Sequence, residues 1–230
     1  ESADDIIDEH LRPLVEKELH EVGLELLFFS ELGHRSIGTS FGFIKSTADL
    51  QGKKMRAAPG SVHLETWQAL GASPKTLADR GETMTALQTG SVAGFDHAPL
   101  VVFAASWFQA ITHFTLTRHS YEPALAVVNK ETWDGLPAKV RELIRGDVLE
   151  ESKHGREKTR AIKQQLIDNF DAAKVAVHTP TSAEKAAFQK VTKPTHKKFT
   201  DKYSSVLYKA ITQHTRGGGP ATGGGSGLEQ

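Results

Sequence analysis

The chain has 230 residues, 38% of them hydrophobic, and its 28 Lys+Arg are balanced by 28 Asp+Glu. That is enough apolar material for a core in one or two domains, and the balance excludes both a global basic field for nucleic acid and an acidic tail. Zero cysteines exclude disulfides, thiolate metal sites and a cysteine nucleophile. No apolar run approaches the roughly 20 residues of a membrane-spanning helix. Glu1-Ser2-Ala3-Asp4-Asp5 has neither a basic nor an apolar leader region, so no signal peptide is expected in this sequence.

Residues 4 to 22 carry apolar side chains at helical spacing, from Ile6 and Ile7 to Leu19 and Val22, with Pro13 kinking or dividing the run and Gly23 as its stop. Leu24 to Phe29 reads as a buried strand. Residues 35 to 44 read as an irregular strand or hairpin. Lys54 to Ala57 is a short strand running into Pro59-Gly60, and Ser61 is placed to cap a helix that ends at Gly71. A second helix is expected between Gly81 and Gly90, a strand or loop over Val92 to Pro99, and an apolar helix over residues 100 to 111. Thr115–Leu116 and Pro123–Val128 read as two strands. Lys130 opens a helical region, and residues 138 to 171 form one long helix or two, with Gly146 and Gly155 as weak points. Val175–His178 is a strand, and Ser182 caps a final helix, interrupted at Pro194 and reaching about Gln213. Arg216 to Gln230 reads as an engineered linker or cloning scar. Strands alternating with helices predict an α/β protein with a mostly parallel sheet.

Three patches carry chemistry. Arg56 stands at the end of a short strand, where side chains of open α/β sheets face a ligand crevice. Its planar cation suits a carboxylate held by two parallel hydrogen bonds, and Arg35 is a possible second cation. Gly94-Phe95-Asp96-His97-Ala98-Pro99 combines an acid, an imidazole and an aromatic ring, and Arg118-His119-Ser120-Tyr121 lies between two expected strands. No His-x-x-x-His pair marks a zinc hydrolase, and no glycine-rich phosphate loop occurs. No metal or cofactor is expected, and the tryptophans Trp67, Trp107 and Trp133 are core by default, though one aromatic often walls a small-molecule pocket.

The order of motifs resembles the substrate-binding proteins of TRAP transporters, the DctP type. The matching pieces are residues 49–56, Trp67 to Pro74, Met84 to Val92, Gly94 to Pro99, His119-Ser120-Tyr121, Val128 to Trp133 and Leu136-Pro137. The resemblance implies a type II periplasmic-binding-protein-like fold, with two lobes and a ligand between them. It implies residues 34–120 and 161–213 as the second lobe, residues 1–33 and 121–160 as the remainder of a first lobe, and 214–230 as linker. The family's early strand-helix series is missing, so an open sheet edge and a complementary chain, a second copy or a deliberate fragment are expected. By resemblance Arg56 clamps the ligand carboxylate and Arg35 assists. Asp96 and His97 offer polar contacts, with Phe95, His119 and Tyr121 as further candidates. The family's usual Asp-Gly is Ala93-Gly94 here, and its usual Gln-Glu-Asn-Pro is replaced by Phe95 to Pro99. The function implied is that of a periplasmic, non-enzymatic receptor that delivers a small organic acid to TRAP membrane subunits. The alternative is a truncated or engineered structural module with weak or no ligand binding.

Overall fold

Two strands of unusual length carry the architecture: β1 (Leu24–Thr39) and β5 (His113–Asn129), which pair antiparallel along almost their whole length. The computed structural model describes residues 3–203. Around this ribbon a six-stranded sheet forms in the order β3-β2-β4-β1-β5-β6, with β2 (Lys54–Ala57), β3 (Ser73–Thr76), β4 (Gly94–His97) and β6 (Ala176–His178). β2 is parallel to β3 and β4, β6 is parallel to β5, and β1 is antiparallel to β4. The sheet is therefore mixed rather than mostly parallel.

The region read as an irregular strand or hairpin is, up to Thr39, the second half of β1. The two strands expected near residues 115 and 123–128 are a single β5. The irregularity that disguised them is real. Register shifts fall between Leu26 and Phe28, Glu31 and Gly33, and Arg35 and Ile37. At the last, β1 advances from Arg35 to Ile37 while β5 runs from Ser120 back to Thr115. That β5 excursion contains Arg118 at φ +47°, a left-handed conformation unusual for a side-chain-bearing residue. β3 escaped notice because Ser-Pro-Lys-Thr is short and polar. Its Pro74 is tolerated because β3 is an edge strand.

The N-terminal helical run is divided as Pro13 requires. α1 (Ala3–Asp5) leads into a π-helical stretch, Ile6–Leu11, and α2 (Arg12–Glu21) begins with Pro13 in its first turn. Proline cannot donate to the carbonyl four residues back, and the wider turn absorbs its ring. α3 (Ser61–Ala69) starts from Gly60 at φ +115°, and Ser61 makes no capping bond. α4 (Arg80–Gln88) is capped by the Asp79 side chain, which accepts from the Glu82 amide at 2.8 Å. The helix expected over 100–111 is α5 (Pro99–Ala104) plus a 3-10 turn, Trp107–Ala110.

α6 (Lys130–Gly135) follows, and the long helical region beyond it is three helices: α7 (Ala138–Arg145), α8 (Val148–Ala161) and α9 (Lys163–Ala172). Gly146 does break it, at φ +53°. Gly155 does not. A Cβ there would meet the Ser30 Oγ at 2.8 Å, so the glycine lets α8 lie close on β1. The final α10 (Ser182–Tyr203) runs through Pro194. The glycine-rich tail lies outside the described residues.

Apolar side chains gather in three clusters. One joins Phe95, Trp107, Phe114 and Phe170 under α4, α5 and α9. A second joins Ile37, Met55, Trp67 and Leu70, with Phe188 of α10 packed on it. The third, Ile7, Leu26 and Phe29 with Leu11, Val15 and Leu19, belongs to the first half of β1 and the N-terminal helices. Alternate residues of the strands serve opposite sides, so Met55 is core while Arg56 is not, and Phe95 is core while Asp96 is not. That alternation, at the C-terminal ends of the parallel strands β2 and β4, sets the charged site.

Candidate functional site

Arg56, next to last in β2, lies beside Phe95 of β4 and is only 4% exposed. Its Nε donates to the Leu77 carbonyl at 3.0 Å, and its guanidinium lies over the Trp107 ring, 5.3 Å from the centroid. Its Nη1 is buried and has no hydrogen-bond partner. Burial pushes the Arg56 cation's pKa down. The Asp96 and Glu122 charges oppose that push, and Arg35 adds to it. A guanidinium held by one carbonyl and one ring, with a buried donor left over, is built to accept an anion.

Arg35 is used differently. Its Nε donates to Asp96 Oδ2 at 2.6 Å, its Nη2 to the Asp96 carbonyl at 2.6 Å, and its Nη1 to Glu122 Oε1 at 2.7 Å. The three nitrogens lock β1 to β4 and β5. Burial works against this charge, but Asp96 and Glu122 outweigh it and hold its pKa above the ordinary value. Asp96, 3% exposed, would be raised by burial. A hydrogen bond from His119 Nε2 at 3.3 Å and the Arg35 charge instead keep it far below the usual carboxylate range.

Glu122 is also depressed. Burial raises it, but His97 and Arg35 lower it further than burial can compensate. His97 Nδ1 lies 3.1 Å from Glu122 Oε2, yet the Ala98 amide donates to the same nitrogen at 3.0 Å. The two contacts compete for that one nitrogen, and Glu122 Oε2 meets it outside hydrogen-bonding geometry; Oε2 and Asp96 Oδ1 are both buried without a hydrogen bond. His63 of α3 feels all four charged groups, and burial, first among the causes, lowers its pKa.

The structure thus brings Arg56, Arg35, Asp96, His97 and His119 into one electrostatic cluster. It places two candidates elsewhere. Phe95 is fully buried, edge-on to Trp107 at 5.0 Å, and fills the core beneath the cluster. Tyr121 donates its hydroxyl to Glu31 at 2.9 Å and stacks edge-on with His34. It lines a separate, mainly apolar cavity of about 560 Å³ between β1, α1 and α9. Burial and Glu31 push the Tyr121 phenol well above its ordinary value. Glu122 and His63 were missed by sequence reasoning. Glu122 adjoins the His119-Ser120-Tyr121 motif, but its partner Arg35 lies 87 residues away, a pairing only the β1–β5 ladder reveals.

Among the described residues no group of His, Cys, Asp and Glu could hold a metal ion, and no helix is long and apolar enough to cross a membrane. Residues 2–202 match the family model of bacterial extracellular solute-binding proteins, family 7, DctP. A solute-binding protein of Verminephrobacter eiseniae is 34% identical over 174 residues, 70% of this chain and 52% of its own. The 2,3-diketo-L-gulonate-binding periplasmic protein YiaO of Escherichia coli is 30% identical, over 68% of this chain and 48% of its own. The chain spans about half the length of the curated relatives it matches.

Among solved structures, a TRAP periplasmic solute-binding protein of Ralstonia eutropha with bound (S)-2-acetolactate superposes with a TM-score of 0.83 at 24% identity. It covers 93% of this chain and 69% of that one. One from Ochrobactrum anthropi gives 0.78 at 26% identity, over 94% and 68%. The fold is that of the TRAP periplasmic solute-binding proteins, and the chain belongs to the DctP family of bacterial extracellular solute-binding proteins.

Proposed function

We propose that this chain carries the carboxylate clamp of a periplasmic receptor, which captures a small organic acid on Arg56 and passes it to the membrane subunits of a TRAP transporter. The observation that carries this reading is the buried Arg56 Nη1 without a partner, on a strand end facing a charged cluster. Family membership supports it, and two similar receptors are named for diketogulonate and C4-dicarboxylates. The role is capture rather than turnover.

The same reading divides the chain into lobes, 34–120 with 161–213 against 1–33 with 121–160. The separate apolar cluster on the first half of β1 supports that division. A further polypeptide segment, of this protein, of another chain or of a second copy, completes the first lobe. Leu125 and Val127 of β5 and Leu143, Ile144 and Leu149 around α7 are 41–74% exposed, more apolar surface than a finished lobe leaves.

A thermal-shift screen with organic acids tests the function, because a ligand that binds only the folded state raises the melting temperature. A panel that moves the midpoint nowhere refutes it. Light scattering tests the lobe, which predicts self-association of the isolated chain.

A further inference from the structure

We propose that Glu122, with Asp96, selects the ligand: a monocarboxylate that also carries hydrogen-bond donors, hydroxyl or ammonium, rather than a plain dicarboxylate. The inference rests on the Arg56 clamp and adds what the ligand must offer beyond its carboxylate.

Charge accounting comes first. The cluster holds two arginines, and two carboxylates already face them. All three nitrogen positions of Arg35 are spent, on Asp96 Oδ2, the Asp96 carbonyl and Glu122 Oε1. Within the cluster it is Arg56 that has a buried donor to give. One ligand carboxylate therefore finds a partner. A second would meet the Asp96 and Glu122 charges with no arginine left to offset them.

Unpaired acceptors come second. Asp96 Oδ1 and Glu122 Oε2 are each buried without a hydrogen-bond partner. Buried acceptors are normally paired, and those of an ionised carboxylate cost most when left alone. Glu122 Oε2 does have His97 Nδ1 at 3.1 Å, but the two do not meet in hydrogen-bonding geometry. A donor has to come from outside the cluster. A ligand hydroxyl or ammonium supplies one, and a methylene or a carboxylate does not. A site that hydrogen-bonds such groups rejects analogues lacking them far more strongly than an apolar pocket rejects a size mismatch.

The test is a nitrogen-15 NMR titration of the full chain, reading the Arg56 Nε–Hε signal, with glucuronate, 4-aminobutyrate, butyrate and succinate. The expected result is that glucuronate or 4-aminobutyrate binds at least about tenfold more tightly than butyrate and succinate, which follows the scale of one lost charge-assisted hydrogen bond. Whichever of the two binds more tightly identifies the donor as hydroxyl or ammonium. Glu122→Gln keeps an oxygen for Arg35 and removes the charge. It should bring the four acids to within about threefold of one another, with the urea midpoint checking that the variant folds. Glu122→Asp, which restores the charge, should recover part of the preference, separating selection from a folding defect. Equal affinities for all four acids, or succinate as the tightest, overturn the inference and leave carboxylate capture standing. No movement of the Arg56 signal with any acid overturns both.

Discussion

Replacing Arg56 by Met removes the guanidinium while keeping most of the stem that packs beneath it. Three effects act on the ligand-free fold. The Leu77 carbonyl loses its donor, about 1–3 kcal/mol, and the contact with Trp107 is lost, about 0.5–2 kcal/mol. Against these, a cation that is 4% exposed with an unpaired Nη1 is no longer buried, a relief of several kcal/mol. The terms oppose one another, so stability should stay within about 2 kcal/mol of the parent, measured by urea unfolding. Binding has no such compensation. With Nε committed to Leu77, the two terminal nitrogens remain for a carboxylate. Two charge-assisted bonds at about 1.5–3 kcal/mol each amount to roughly a hundredfold to ten-thousandfold loss of affinity. Arg56→Lys should recover little of it, since a point charge cannot reproduce the fork. Isothermal titration calorimetry, with the organic acid that most raises the melting temperature, measures both variants. An Arg56→Met protein that folds normally and keeps its affinity within threefold would show that the carboxylate binds elsewhere.

Arg35→Met should cost about 3–5 kcal/mol in urea unfolding, because it strands Asp96 and Glu122 as buried charges. Adding Asp96→Asn should return more than about 1 kcal/mol of that, and a purely additive double variant would refute the pairing. Gly94→Ala should lower the unfolding midpoint by the equivalent of about 1–3 kcal/mol, since a Cβ there clashes with the Gly38 carbonyl and the Met55 methyl group where β4 crosses between β1 and β2. Stability should fall continuously on acidification. His34 and His63 are held below their ordinary 6.5, chiefly by burial, so the unfolded chain takes their protons first and the loss begins near pH 6.5. Asp96 and Glu122 titrate below their ordinary 3.8 and 4.5 in the fold. Their contribution is complete above about pH 4.5 and disappears as the pH falls through the depressed values. Urea midpoints that rise between pH 7 and pH 5 would contradict the histidine assignment, and midpoints that do not fall below pH 4.5 would contradict the carboxylate one.

The local punctuation of the fold was legible in the sequence. Pro59-Gly60, Gly71, Gly90 and Gly146 mark where elements start and stop, because positive φ at each favours glycine and nothing downstream alters that. Arg56 was legible for a similar reason: a short strand followed by Pro-Gly fixes where its last side chains stand. What was hidden lies in the long ribbon. Each bulge in β1 shifts the inward–outward alternation by a residue, so a 16-residue strand reads as a short apolar strand followed by something irregular. The polar run Arg118-His119-Ser120 likewise cuts β5 in two on paper, although its backbone stays within the strand. Antiparallel pairing over that distance is a tertiary fact, and with it went Glu122 as the partner of Arg35. Phe95 and Asp96 show the remaining difficulty. They are neighbours in one motif, and only the pleat assigns the ring to the core and the carboxylate to the site.

The interruption of the ladder at Glu31 and Gly33 has a mechanical meaning. A regular two-stranded ribbon is stiff along its length, but where one strand carries an extra residue the ladder is locally broken and the ribbon bends most easily. Gly33, at φ +101°, is opposite Glu122 in the register, and Arg35 is two residues further along. The Arg35–Glu122 bond is therefore a strut across the flexure. Its tension changes whenever the two ends of the ribbon swing relative to one another. A molecule that donated hydrogen bonds to Glu122 would load the same strut, and its occupancy and the bending angle would then be coupled through one pair of side chains.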